Sequence, residues 1–164
     1  MSSGRSAMTI AIAVNADQLN TLDLSPVRSV LDPLVQKGNL LACEQQLQFQ
    51  IDFPREPEDP RELSEIPEIR LWFVRLDATY PWLPFLLDWK AGELARYTAM
   101  LVPHQFHPRD GIQFNPEALE IFVMSKVFVL GQWLKTQGIA GNSRLKSMTQ
   151  LLGYEIDDAF FDLL

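Results

Sequence analysis

Cysteine and histidine are scarce in this sequence, which contains one cysteine and two histidines in 164 residues. A single thiol, Cys43, cannot form an internal disulfide or hold an iron–sulfur cluster, and this favours a reducing compartment. Because leucines and an alanine precede Cys43, we expect a small buried apolar side chain rather than a reactive thiol. No stretch approaches the about 18 uncharged apolar residues of a membrane-spanning helix, so we predict no membrane insertion.

Basic residues are also few, with 14 Lys and Arg against 21 Asp and Glu and a net charge of −7. Binding to nucleic acid or to an anionic membrane needs clustered Lys and Arg, so both are excluded and a basic partner is favoured. The sequence has no glycine-rich phosphate loop, no CxxC pair and no serine–histidine motif. We therefore predict that the protein is not an enzyme, with no catalytic residue and no cofactor.

Apolar residues make up 47% of the chain, which is enough for a real core. We expect a flexible leader at residues 1–8 and a single α+β domain at residues 9–164. Residues 54–68 interrupt this domain with four prolines and six acidic residues, a composition that predicts a mobile solvated loop.

Strands are predicted where β-branched and aromatic residues gather or where apolar and polar residues alternate. The clearest alternation starts at Leu47, and in a later strand we expect Leu71, Phe73 and Val74 to contribute to the core. The four predicted strands are residues 9–14, 47–53, 69–76 and 94–102.

Helices are predicted at residues 25–38, 116–137, 142–153 and 155–164 from apolar spacings of three and four. The longest is bounded by Asn115, a good N-cap, and by Gly138, which can adopt a left-handed stop. With strands first and helices last, we predict an α+β fold. Its small antiparallel sheet is covered by the long helix, and a C-terminal helical segment follows.

The long helix carries apolar residues on two sides. Its core stripe includes Trp133 and also Lys126, whose amine either reaches the edge, which we favour, or forms a buried ion pair. On the other side, Ile121, Met124 and Phe128 are either covered by the rest of the chain or kept for a partner.

His104 and His107 stand three residues apart, with Asp110 nearby. Two imidazoles and a carboxylate can bind a transition metal, so a small metal-binding protein or enzyme is the alternative function. The flanking prolines instead indicate a structural loop, and we predict no metal site.

The blocks FNPEALEIFVMSKVFVLGQWLK and RLKSMTQLLGYEIDDAFFDLL resemble the chlororespiratory reduction 6 family of cyanobacteria and chloroplasts. A weaker, colinear likeness runs from about residue 9 to residue 102. The resemblance implies a non-catalytic assembly factor for the hydrophilic arm of the photosynthetic NAD(P)H dehydrogenase-like complex. In that family the client is the iron–sulfur subunit I, and no catalytic residue can be carried over.

We expect the protein to act in the cyanobacterial cytoplasm or at the periphery of the thylakoids. Apolar contact would supply binding energy, and carboxylates near the end of the chain would attract a basic client. The candidate partner-binding residues are Ile121, Met124, Phe128, Asp157, Asp158 and Asp162.

Overall fold

A computed structural model describes residues 9–164 of the chain, so the predicted leader at residues 1–8 lies outside the described residues. The chain divides into two compact units. The first comprises the described residues up to Thr79 together with Leu83–Leu101, and the second comprises Tyr80–Trp82 together with Val102–Leu164. The expectation of a single domain over residues 9–164 stays a prediction.

The first unit contains two strands and four helices among the described residues. In chain order these are β1 (Ile10–Asn15), α1 (Ala16–Asn20), α2 (Ser25–Lys37), β2 (Leu47–Asp52), α3 (Pro67–Thr79) and α4 (Glu93–Leu101). Three short 3-10 turns join them, at Leu40–Cys43, Leu63–Glu65 and Leu83–Leu86.

The strands β1 and β2 pair in parallel, with Ile10 opposite Leu47 and Asn15 opposite Asp52. The prediction that the alternating strand beginning at Leu47 belongs to an antiparallel sheet is therefore wrong in that detail. A parallel pair needs a crossover connection, which α1 and α2 supply. The alternation itself is confirmed, because Leu47 and Phe49 are buried while Gln50 is exposed.

Two segments predicted as strands are helices, namely α3 and α4. In α3 the buried residues Ile69, Trp72, Phe73 and Leu76 follow the three- and four-residue spacing of a helix face. Leu71 and Val74, which the strand prediction places in the core, are exposed on the opposite side. The β-branched and aromatic content of residues 69–76 favours a strand, but packing along one helical face overrides that local preference.

The core of the first unit is an aromatic cluster. The ring of Phe73 lies 5.2 Å from Phe49, 5.0 Å from Trp72 and 5.8 Å from Tyr97, each measured between centroids and each edge to face. The Tyr97 hydroxyl donates to the carboxylate of Asp77 at 2.8 Å. These contacts pack β2, α3 and α4 against one another.

The stretch predicted as a mobile loop, residues 54–68, includes an ordered end. Residues 54–58 are exposed, whereas Ser64 and Ile66 are buried and α3 begins at Pro67. The side chains of Glu62 and Glu65 form a reciprocal capping box at the 3-10 turn. The mobility of this segment stays a prediction.

The second unit contains a hairpin and three helices. These are β3 (His104–His107), β4 (Gly111–Phe114), α5 (Pro116–Thr136), α6 (Asn142–Leu151) and α7 (Asp158–Asp162). The strands β3 and β4 pair antiparallel. The α+β class, a small antiparallel sheet, a long helix and a C-terminal helical segment are thereby confirmed.

The predicted caps of the long helix α5 are confirmed. The Asn115 side chain accepts a hydrogen bond from the backbone N–H of Ala118 at 2.9 Å. Just beyond the other end, Gly138 has a φ of +73°, a conformation that costs glycine little. Local sequence signals therefore determine both ends of the helix that carries the candidate surface.

Candidate partner-binding surface

One side of α5 exposes large apolar side chains. Ile121 is 72% exposed and Phe128 is 51% exposed, while Met124 between them is half-buried. Residues seven apart on a helix lie within about 20° of each other and roughly 10 Å apart along the axis. Ile121 and Phe128 therefore share one stripe, with Met124 beside it.

The opposite side of α5 forms the core of the second unit. Val123, Val127 and Leu130 are completely buried, and Leu134 is nearly so. Because these residues already supply the packing, Ile121 and Phe128 are not needed to hold the helix in place. A contiguous exposed apolar stripe, unlike a single exposed apolar side chain, is typical of an interaction site.

The end of the chain packs across α5 next to Phe128. The ring of Phe160, in α7, lies 6.0 Å from the Phe128 ring in an edge-to-face arrangement. A side chain on Gly131 would come within 3.3 Å of the Leu164 side chain, so glycine leaves room for that residue. The structure thus brings Phe128 and the acidic α7 segment together.

The three candidate carboxylates are all exposed, at Asp157, Asp158 and Asp162. Asp158 forms an ion pair with Lys146, with 2.8 Å between its Oδ1 and the Lys146 Nζ. Hydrogen bonding to Asp158, and then its charge, raises the pKa of the Lys146 amine. The negative charge near Phe128 therefore comes chiefly from Asp157 and Asp162.

From the sequence alone, the apolar residues of the predicted helix at residues 155–164 are expected to dock on the core, and Phe160 is therefore not among the candidate surface residues. Phe161 does dock and is buried, whereas Phe160 is only half-buried and Leu163 is 84% exposed. Adjacent residues on a helix point about 100° apart, so Phe160 and Phe161 project in different directions from α7. That spacing was the available signal.

Lys126 is buried on the core side of α5, with 4% of its surface exposed. The favoured expectation that its amine reaches the edge is wrong. The Nζ atom instead donates to the backbone carbonyl of Pro81 at 2.9 Å and lies 5.8 Å from the centre of the Phe122 ring. The amine is held by a fixed acceptor, which reduces the cost of burying it.

The two histidines of the alternative hypothesis both lie on β3, where the sequence indicates a loop. Side chains alternate across a strand, so His104 and His107 project from opposite faces of the hairpin. His104 packs against the rings of Phe106 and Phe114, while Nδ1 of His107 lies 3.4 Å from the Asp110 carboxylate. Among residues 9–164 no group of three metal-binding side chains converges.

Cys43 is buried, with 3% of its surface exposed, as expected for a small apolar side chain. Burial raises the pKa of its thiol, so the reactive thiolate is disfavoured at neutral pH. The residue has the properties of a core side chain and not of a nucleophile.

An α+β protein that exposes large apolar side chains along one side of its longest helix has a surface that is typical of proteins that bind other proteins. The model of the chlororespiratory reduction 6 family matches residues 14–163, so the chain belongs to that family. The resemblance seen in the sequence is thereby confirmed, and membership connects the protein with the assembly of the NAD(P)H dehydrogenase-like complex. No solved structure matches the chain.

A helix that crosses a bilayer needs about 20 consecutive, predominantly apolar residues. Within residues 9–164, no helix combines the length and the apolar character needed to cross a membrane.

Proposed function

We propose that the protein is a non-catalytic assembly factor that binds the iron–sulfur subunit I of the hydrophilic arm of the NAD(P)H dehydrogenase-like complex. The family connects the chain with that complex, and the exposed stripe of α5 is the observation that carries the proposal. Its place of action is the cytoplasm of a cyanobacterium, at or near the thylakoid surface. The chain has one cysteine, so it assists a cluster-bearing client and does not carry the cluster.

The apolar residues Ile121, Met124 and Phe128 would supply the binding energy. Covering a side chain of this size is worth about 1.5–3 kcal/mol, and a few such residues dominate most interfaces. Phe128 is the best anchor, because its edge-to-face contact with Phe160 holds the ring while half of its surface stays open. An aromatic ring that is already ordered loses little entropy on binding.

The carboxylates of Asp157, Asp158 and Asp162 would act at longer range. They lie on the segment that packs beside Phe128, and the whole chain carries a net charge of −7. Charges of this kind raise the rate of encounter with a basic partner more than they slow its release. Apolar residues and carboxylates therefore have separable kinetic effects.

Binding kinetics with purified subunit I test the proposal through Phe128→Ala and a matched variant. Leu71→Ala removes a smaller but similarly exposed apolar side chain from α3, in the first unit. We expect Phe128→Ala to raise the dissociation rate constant at least about tenfold, with an association rate within about twofold of the unaltered protein. Leu71→Ala should change neither rate. If both variants behave alike, or if neither binds more weakly, α5 is not the binding surface.

A further inference from the structure

The second feature that points to a partner is the outer edge of β1, in the first unit. The backbone N–H of Ile10 donates to the carbonyl of Gln46 at 2.8 Å. This bond shows which residues of β1 direct their backbone groups toward β2. In a strand, alternate residues direct their backbone groups to opposite edges, so Ile12 and Val14 also pair with β2. The N–H and C=O groups of Ala11 and Ala13 therefore point away from β2.

Within the described residues these four outward groups are unpaired. Among residues 9–164 this sheet consists of β1 and β2 alone. The outward N–H and C=O groups of Ala11 and Ala13 form no hydrogen bond with another described residue. Both alanines are exposed. Further along the strand the edge closes, because the N–H of Asn15 donates to the side chain of Gln18 at 3.0 Å.

The far edge of β2, unlike the outer edge of β1, has partners for its backbone groups. There the N–H of Phe49 donates to the carboxylate of Glu93 at 2.6 Å, and the carbonyl of Leu47 accepts from Asp88 at 2.9 Å. Glu93 is itself buried, and Arg96 holds its second oxygen at 2.9 Å. Over its described residues, this unit thus covers one sheet edge with a buried carboxylate and leaves the other edge bare.

The bare edge also lacks the usual protection against pairing. Natural edge strands carry lysine, proline or a bulge, whereas residues 10–14 read Ile-Ala-Ile-Ala-Val with regular pairing to β2. The outward backbone groups belong to alanines, whose small side chains project from the face of the sheet and not along its edge. Such an edge is a template for an added strand.

We propose that the outer edge of β1 binds an extended segment of a partner polypeptide as a third strand. Only an extended backbone presents donors and acceptors in the alternation that Ala11 and Ala13 require. Asp17 and Asp52 are exposed at the carboxyl end of the pair, so a segment with basic residues at that end is the complementary one. A second copy of this chain, with its net charge of −7, would be repelled.

The proposal is independent of the α5 surface, because it involves none of its residues. The probe is a synthetic extended peptide of alternating valine and threonine that ends in two lysines. Amide hydrogen exchange measured residue by residue by NMR is the first readout. In the free protein we expect the amides of Ala11 and Ala13 to exchange at least about a hundredfold faster than those of Ile12 and Val14. The peptide should slow the two alanine amides at least about tenfold.

A pair of variants provides the second readout. Ala13→Pro removes only an outward N–H and keeps the pairing of Ile12 and Val14 with β2, whereas Ala13→Ser retains the donor. We expect the proline variant to bind the peptide at least about tenfold more weakly and the serine variant to bind normally. Phe128→Ala should also bind the peptide normally, which separates this proposal from the function of α5.

Three outcomes would overturn the proposal. Alanine amides already protected in dilute protein would mean that the chain covers its own edge. Protection that rises with protein concentration in the absence of peptide would mean that a second copy is the occupant. Peptide that leaves the alanine amides unprotected, or that binds Ala13→Pro as well as the unaltered protein, would mean that the edge does not accept a strand.

Discussion

The indole of Trp82 stacks on that of Trp133, with centroids 5.5 Å apart and ring planes 13° from parallel. One residue earlier, the Pro81 carbonyl accepts the hydrogen bond from Lys126. Lys126 and Trp133 are seven residues apart and so lie on one side of α5. Two adjacent residues, Pro81 and Trp82, are thereby fixed to the buried side of the helix at two points.

We expect Trp133→Ala to lower the free energy of unfolding by roughly 3–5 kcal/mol, because Trp133 is almost fully buried and leaves a large cavity. Urea denaturation measures this change. In a double-mutant cycle with Trp82→Ala, we expect the two rings to be coupled by about 0.5–1.5 kcal/mol. An unchanged midpoint for Trp133→Ala would show that the stacked pair does not support the fold.

The hydrogen bond from Lys126 to the Pro81 carbonyl can be tested with Lys126→Met. This change keeps the apolar stem but removes the donor to the Pro81 carbonyl, so we expect a loss of about 1–3 kcal/mol in unfolding free energy. Lys135→Met, an exposed position on the same helix, should stay within about 0.5 kcal/mol of the unaltered protein. Equal effects at the two positions would mean that the buried hydrogen bond contributes nothing.

Features encoded over a few neighbouring residues could be predicted from the sequence. Asn115 and Gly138 lie at the ends of α5 and act through local backbone geometry, so the bounds of that helix were predicted within a residue. The same helical period placed Ile121 and Phe128 on the side opposite the core stripe, but it left open whether the rest of the chain covers them.

Features that depend on distant partners could not be predicted. Phe73 packs on Phe49 and Tyr97, and it is this packing that makes residues 69–76 a helix despite their preference for strand. Likewise the parallel partner of β2 depends on where α1 and α2 return the chain. The hairpin β3–β4 did carry a local signal, the pair Asp110-Gly111 where the turn ends and β4 begins, but the flanking prolines favour a loop.

The loop at residues 54–68 should divide into a dispensable first part and a second part that the fold requires. Replacing residues 54–61 by a short Gly/Ser connection should leave the thermal midpoint within a few degrees, because little apolar surface is buried there. Extending the replacement through Ile66, which is fully buried, should cost about 2–5 kcal/mol. Scanning calorimetry of the two variants checks this. If the shorter replacement is equally damaging, residues 54–61 are part of the fold.

The buried thiol of Cys43 should make the stability of the fold decrease at alkaline pH. Burial raises the pKa of its thiol above that of the unfolded chain, about 8.5. The stabilisation is therefore complete below that pH and is lost as pH rises through the folded value, because only the unfolded state releases the proton. Urea midpoints from about pH 7 to about pH 10 should fall more steeply for the unaltered protein than for Cys43→Ala. Parallel curves would contradict the burial argument.

The carboxylates beside Phe128 predict an effect on association that depends on where the charge lies. Asp157→Asn with Asp162→Asn should slow association with purified subunit I several-fold at low salt and leave dissociation unchanged, because exposed charges act mainly on encounter. At about 0.5 M salt the difference should vanish, since screening then acts within a few ångströms. Asp158 is left in place so that its ion pair with Lys146 continues to hold α7.

The matched variant for that experiment is Glu56→Gln with Glu58→Gln, which changes the net charge equally but lies in the exposed loop of the first unit. Stopped-flow binding at two salt concentrations compares the pairs. If attraction is local to α7, only the aspartate pair slows association. Equal slowing by both pairs would mean that the client responds to the net charge of the whole chain, and Asp157 and Asp162 would then have no special place in the interface.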